Sequence, residues 1–235
     1  MQPTATAPPA PPTPSAPFAE IAQAESFYNA SRFDLAQQAY DRILAAHPND
    51  ARALMMRGAS KYYLNDLAGA KADYEASAKA DPTSPAARKY WAFLELIAGN
   101  PKLALELSDS VVRQNGRDVD ALVTAGEAAI ANGAPKEGQK YLEKARQLDP
   151  NRAASLYAEG CNAFTRNSKA IALQLFRGAL LMDPNQYQAW FGEGESLAAL
   201  GQKKAAMAAY RHYLQYDPHS AYAQHAREQI ERLQH

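Results

Sequence analysis

The sequence predicts an all-α protein, a solenoid of antiparallel helix hairpins, and three observations predict it. Proline recurs at Pro48, Pro82, Pro150, Pro184 and Pro218, at intervals of 34, 68, 34 and 34, with Gly116 in the slot that the doubled interval skips. Small residues recur in the same frame at two fixed places. At Pro17 the composition changes abruptly, from a Pro-rich stretch to Ala, Leu, Tyr and alternating charges. Self-similarity at a fixed period of roughly 20 to 50 residues is the signature of a repeat array.

Cutting on this period yields six units without insertions, 17–50, 51–84, 85–118, 119–152, 153–186 and 187–220. In the first half of each unit, position 8 carries Ala24, Gly58, Ala92, Gly126, Gly160 and Gly194. A small residue there lets a second helix approach closely. Position 15 reads Ser31, Asn65, Gly99, Gly133, Asn167 and Gly201, residue types suited to the left-handed conformation that ends a helix and turns the chain.

The second helix repeats the device in reverse. Position 20 is small (Ala36, Ala70, Ala104, Gly138, Ala172, Ala206), and position 24 is bulky in five units of six (Tyr40, Tyr74, Leu142, Phe176, Tyr210, against Ser108). Residues four apart share a helix face, so the bulky side chain fills the space that the small residues leave. His-Pro or Asp-Pro at positions 31 and 32 then stops the helix, because proline disfavours helical backbone in the residue before it.

This pattern resembles the tetratricopeptide repeat family, in which a large residue, Leu-Gly, Tyr, then Ala, an aromatic and Pro stand at these spacings. Unit 51–84 carries it through Gly58, Ala70, Tyr74 and Pro82, and unit 187–220 through Trp190, Gly194, Ala206, Tyr210 and Pro218. The resemblance covers residues 17–220 and implies a right-handed superhelix with a concave face. The third unit departs most, with Arg88, Glu95, Ser108 and Gly116 where large apolar, tyrosine, aromatic and proline residues are usual. A looser or bent joint is expected there.

Residues 221–235 start a seventh helix, with Tyr222, Ala226, Ile230 and Leu233 on one stripe and Gln224, Arg227, Glu228 and Glu231 facing away. It is expected to cap the solenoid and keep its end soluble. Residues 1–16 are dominated by Pro, Ala and Thr, a composition with little to bury, which reads as a disordered linker or tail. It suits a solvated tail, a tether to a membrane segment removed from the chain, or an internal ligand for an aromatic groove.

Twenty-five basic and twenty-five acidic residues cancel, leaving no single-sign field to recruit nucleic acid or anionic lipid. Cys161 is the single cysteine, so neither an internal disulfide nor a multi-cysteine metal site is expected. The absence of an apolar run of about 18 residues argues against direct membrane insertion. The location is accordingly cytoplasmic as the sequence stands, or periplasmic and envelope-tethered if the Pro-rich stretch follows a removed membrane segment. His212, His219, His225 and His235 crowd the C-terminus at spacings of 7, 6 and 10 that do not share a helix face. No metal-ligand set, phosphate-cradling glycine loop or nucleophile–base pair emerges. No cofactor and no enzymatic activity are expected.

At 100° per residue, positions 4, 7, 8 and 11 of each first helix share one face, and positions 2, 5, 6, 9, 12 and 13 point the opposite way. The resemblance implies that the second set lines the concave face, where partner peptides lie. The candidate groove comprises Met55 and Tyr62, then Lys89, Tyr90 and Phe93, Val123 and Glu127, Tyr157 and Cys161, and Phe191 and Glu195. Tyr90, Tyr157 and Phe191 are the expected anchors. At positions 12 and 13, Tyr62, Tyr63, Leu96, Ile97, Ile130 and Phe164 suit groove lining and cover by a neighbouring repeat equally well.

Aromatic and Met side chains favour an apolar segment of another protein. Many cochaperones of the family instead clamp a C-terminal carboxylate with Lys and Asn at positions 5 and 9. Here position 5 reads Ile21, Met55, Lys89, Val123, Tyr157 and Phe191, which departs from that pattern. The reading is a protein-interaction scaffold or adaptor, similar in size and architecture to tetratricopeptide proteins of bacterial secretion, pilus and envelope machineries. The alternatives are a self-associating structural subunit stacking through solenoid ends, or a regulatory subunit of an enzyme complex.

Overall fold

The computed structural model describes residues 17–234; the Pro-rich stretch 1–16 lies outside the described residues. Six hairpins follow one another along the chain. They are α1 (Pro17–Asn29) with α2 (Phe33–Ala46), α3 (Ala51–Tyr63) with α4 (Leu67–Ala80), and α5 (Pro85–Ile97) with α6 (Pro101–Gln114). Then come α7 (Val119–Ala131) with α8 (Pro135–Leu148), α9 (Arg152–Thr165) with α10 (Lys169–Met182), and α11 (Gln188–Ala199) with α12 (Lys203–Tyr216). A last helix, α13 (Ala221–Gln234), ends the described chain.

Every hairpin turns by the same local chemistry. The position-15 residue has positive φ in all six (Ser31 57°, Asn65 64°, Gly99 80°, Gly133 82°, Asn167 63°, Gly201 74°). The next N–H then reaches back five residues: Arg32 to the Phe27 carbonyl, Asp66 to Lys61, Asn100 to Glu95, Ala134 to Ala129, Ser168 to Ala163 and Gln202 to Leu197, each at 2.9 Å. This bond satisfies a carbonyl that the helix end leaves without an intrahelical partner.

Inside four of the hairpins a glycine and a bulky residue interlock. A Cβ at Gly58 would lie 3.1 Å from the Tyr74 ring, and one at Gly126, Gly160 or Gly194 would lie 2.7 Å from Leu142, Phe176 or Tyr210 respectively. Only a missing side chain admits the bulky partner so closely. Ala36, Ala70, Ala104, Ala172 and Ala206 are wholly buried on the facing helix.

The chain forms two compact units, dividing between Asp81 and Pro82 near the end of the second repeat. In the first unit, α1 to α4 close over Ala24, Ala36, Tyr40, Ile43, Ala53 and Leu54. Arg57 on α3 is held by Asp41 at 2.9 Å and Asp73 at 2.6 Å, and Lys61 joins Asp73 at 2.9 Å.

The second unit holds α5 to α13. The unusual residues of its first hairpin satisfy one another. Glu95, 3% exposed, accepts from the Trp91 indole at 2.9 Å and the Asn100 amide at 2.7 Å, and the Ser108 hydroxyl donates to the Ala104 carbonyl at 2.6 Å. The looser joint expected in this repeat is therefore not within its hairpin. The stack is interrupted one repeat later: α5 to α8 pack in sequence, but α9 does not lie along α8, and α10 instead packs against α7, α8 and α5. From α9 to α13 each helix again packs on the next.

Candidate functional site

In the first unit the two candidate residues sit on α3. Met55 and Tyr62 are both half-buried. The Tyr62 ring meets Tyr63 edge-on at 5.4 Å, and Tyr63 stacks on Phe33 at 4.4 Å with Tyr28 edge-on to Phe33 at 5.4 Å. Tyr63 is thus inter-helix packing. Phe33, at the start of α2, was missed because the face assignment considered first helices alone.

In the second unit the candidates separate into two groups. Lys89, Tyr90 and Phe93 lie on α5, and Val123 and Glu127 on α7. Lys89 pairs with Asp118 at 3.2 Å and Asp120 at 3.6 Å. Burial pulls its ammonium down, but the two carboxylates outweigh it and hold the group above its ordinary value. Asp120 also pairs with Arg152 at 3.0 Å, and Arg152 with Glu159 at 2.7 Å, so charge runs from α5 across α7 to the start of α9. Tyr90 is exposed, with the Lys89 ammonium 5.6 Å from its ring centre.

Val123 and Glu127 correct the expected groove. They are 5% and 7% exposed, too little to meet a partner. The cause is α10, which lies on this face. The Gln174 amide donates to the Glu127 carboxylate, and Gly178 lies so close that a Cβ there would stand 2.5 Å from Glu127 Oε1. Burial pushes the Glu127 carboxyl up to about 8, against the Gln174 hydrogen bond and the nearby Arg177 charge. Arg146 on α8 completes the seat, donating to the carbonyls of Leu181 at 2.5 Å and Met182 at 2.7 Å, where α10 ends.

The other group is continuous with the last helices. Tyr157 on α9 is half-buried beside Cys161, burial and the thiol raising its phenol to about 12, and its ring lies 5.9 Å from Phe176. Phe191 on α11 is ringed by Tyr210 at 5.9 Å, Tyr213 at 5.4 Å, Tyr222 at 5.1 Å and His225 at 5.6 Å. Glu195 accepts from the Tyr210 hydroxyl and pairs with His225 Nε2 at 3.0 Å.

Two residues on this face, Tyr222 and His225, were missed. Of the expected packing stripe of α13, Ala226 is buried and Ile230 and Leu233 pack against the same cluster, but Tyr222 is 63% exposed and Ala223 is buried instead. Counting Ala221 as position 1 of a seventh repeat places Tyr222 at position 2 and His225 at position 5, on the partner-facing set. That register was available in the sequence. Among the described residues no group of His, Cys, Asp and Glu is placed to hold a metal ion, and no helix is long and apolar enough to cross a membrane.

One tetratricopeptide repeat profile matches residues 21–85 and 157–221, and a second profile of the same description matches residues 95–160. The chain belongs to the tetratricopeptide repeat family. No curated protein matches it. Among solved structures, a tetratricopeptide repeat protein from Parabacteroides merdae superposes with a TM-score of 0.56 at 14% identity, covering 92% of this chain and 86% of that one. MamA from Desulfovibrio magneticus gives 0.55 at 19% identity over 72% of this chain and 96% of its own. A chain of the APC/C hetero-tetramer Cut9-Hcn1 gives 0.57 at 14% identity, over 95% of this chain and 44% of that one. At these identities the likeness is one of fold. Tetratricopeptide repeats are in general scaffolds for protein interaction, and the repeats of this chain support that role.

Proposed function

We propose that the chain is an adaptor that holds an apolar or aromatic segment of a partner protein on the face formed by α9, α11 and α13. The observation that carries this is the run of rings and polar groups along one side of these helices: Tyr157 and Cys161, Phe191 and Glu195, Tyr222 and His225. Tyr222 stands out of it, 63% exposed, over a Phe191 that is already held in place. A fixed aromatic floor loses little side-chain entropy on binding, so ring burial converts more fully into affinity. Glu195 and His225 supply an acceptor and a donor for orienting the segment. Met55 and Tyr62 on α3, and Lys89, Tyr90 and Phe93 on α5, are secondary contact points in this reading. A role within a bacterial secretion, pilus or envelope assembly rests on likeness in size and architecture to such proteins.

The test is capture from source cells with the intact chain beside one carrying Tyr157→Ala and Tyr222→Glu, both first shown to be equally helical. A partner held by the intact chain and lost by the variant supports the assignment. A partner held equally by both overturns it and moves the site to another surface.

A further inference from the structure

The face of α5, α7 and α8 already holds a helix, and how it holds α10 defines what it accepts. Glu127 receives a hydrogen bond from Gln174, one turn before Gly178. At Gly178 the backbone comes close to Glu127, and a Cβ there would stand 2.5 Å from Oε1 and displace the carboxylate from its present position. Arg146 takes the carbonyls of Leu181 and Met182, capping the far end. The inserted helix is apolar nearly all round, with Ile171, Leu173, Leu175, Phe176, Leu180 and Met182 buried, as expected of a helix enclosed by neighbours. The connection carrying it there is short. Asp149, Pro150 and Asn151 join α8 to α9, and unlike the link between α6 and α7 this one is not backed by helix stacking.

Contacts made through a non-local face and joined by an unstacked link are those that two copies exchange at low cost, since each closed interface is re-formed in the dimer. We propose that the α5, α7 and α8 face also receives α10 from a second copy of this chain, so that residues 152–234 exchange between copies about a hinge at residues 149–151. The occupant is the same helix in both cases, which is why Gln174, Gly178 and the α10 carbonyls fit without alteration. Hinge length sets the balance. A shortened link cannot return α10 to its own α7 and drives exchange, whereas a lengthened one relieves the turn and favours the closed monomer.

The experiment compares three full-length chains by sedimentation over a range of concentrations: the natural sequence, one lacking Asn151, and one with a Gly-Ser insertion after Pro150. All are first checked for helix content. Alongside, two tagged copies lacking Asn151, both with Cys161→Ser and carrying Glu127→Cys or Gln174→Cys respectively, are mixed after mild unfolding and treated with a short bismaleimide. A single chain with both cysteines serves as the control for α10 in its seat. The expected result is a dimer that grows with concentration, enriched by the deletion and depleted by the insertion, with linkage between the differently tagged copies. Monomeric mass for all three chains overturns the proposal, and so does a dimer in which the link forms only within the doubly substituted chain.

Discussion

At the scale of single residues, the glycines divide by what surrounds them, and the division can be measured. Gly133 has φ of 82° and nothing within 4 Å of where a Cβ would stand, so its selection is purely conformational. Gly133→Ala is expected to cost about 1 kcal/mol, the ordinary penalty for left-handed backbone, read as a lowered denaturation midpoint with unchanged slope. Gly126 is helical, and there a Cβ meets Leu142 at 2.7 Å and the Gly138 carbonyl at 3.1 Å. Gly126→Ala is expected to cost more, about 1 to 3 kcal/mol, through forced repacking. Equal losses in the two variants would remove the distinction. Glu127 is the other residue with a measurable signature. Its carboxyl is raised from 4.5 to about 8 by burial, so between those values the folded state binds the proton that the unfolded state has released. Stability from this group is therefore full below pH 4.5 and falls as pH rises, by at most about 1.4 kcal/mol per pH unit, levelling off near 8. Glu127→Gln keeps an acceptor for Gln174 and removes the titration. Its stability relative to the natural chain is expected to climb across that window, and a constant difference from pH 5 to 8 would refute the assignment.

At the scale of elements, each hairpin was legible because its causes are local. Position 15, the small residue at position 8 and the bulky residue at position 24 lie within one unit, and the turn and packing they dictate need no knowledge of the rest. The placement of α10 was not legible from such rules, since it depends on which helix reaches the face of α7. Traces were present nonetheless. Gly178 stands at position 26, where the other units carry Arg42, Ala76, Ser110, Lys144 and His212, each with a side chain, and α10 lacks the polar face that a second helix of the array usually shows. Two of the eleven groove residues were misplaced for this reason: Val123 and Glu127 were assigned to it by register alone and are buried, while the register of α13 was not followed far enough to reach Tyr222. The α13 helix has its own consequence. Its Ala223 and Ala226 are wholly buried in a cluster with Leu197, Ala209, Tyr210 and Tyr213. Ending the chain at Ser220 is expected to lower the melting temperature by several degrees and to promote aggregation, as the apolar end of an array becomes bare. An unchanged melting temperature, followed by circular dichroism, would show that α13 contributes no stability.

At the scale of the whole molecule, the array departs from the simplest physics of repeats. In an uninterrupted solenoid each repeat contacts only its neighbours, and stability is a sum of local and nearest-neighbour contributions. In the second unit α10, in the fifth repeat, breaks that rule by reaching α5 in the third, while it also joins α9 and α11 to α7 and α8 of the neighbouring repeat. Two short stacks, α5 to α8 and α9 to α13, thereby share one buried helix, and unfolding either must strip apolar cover from the other. Cooperative openings in native proteins follow such shared packing. Gly178→Leu drives a large side chain against Glu127 and Leu156, which lie 2.5 and 3.5 Å from where its Cβ would stand. Although the substitution lies in α10, amide exchange is expected to accelerate across α5 to α8 as strongly as across α9 to α13, because one interface closes both. Acceleration confined to α9 to α13, with α7 as protected as before, would show that the two stacks open independently and that α10 rests on α7 without supporting it.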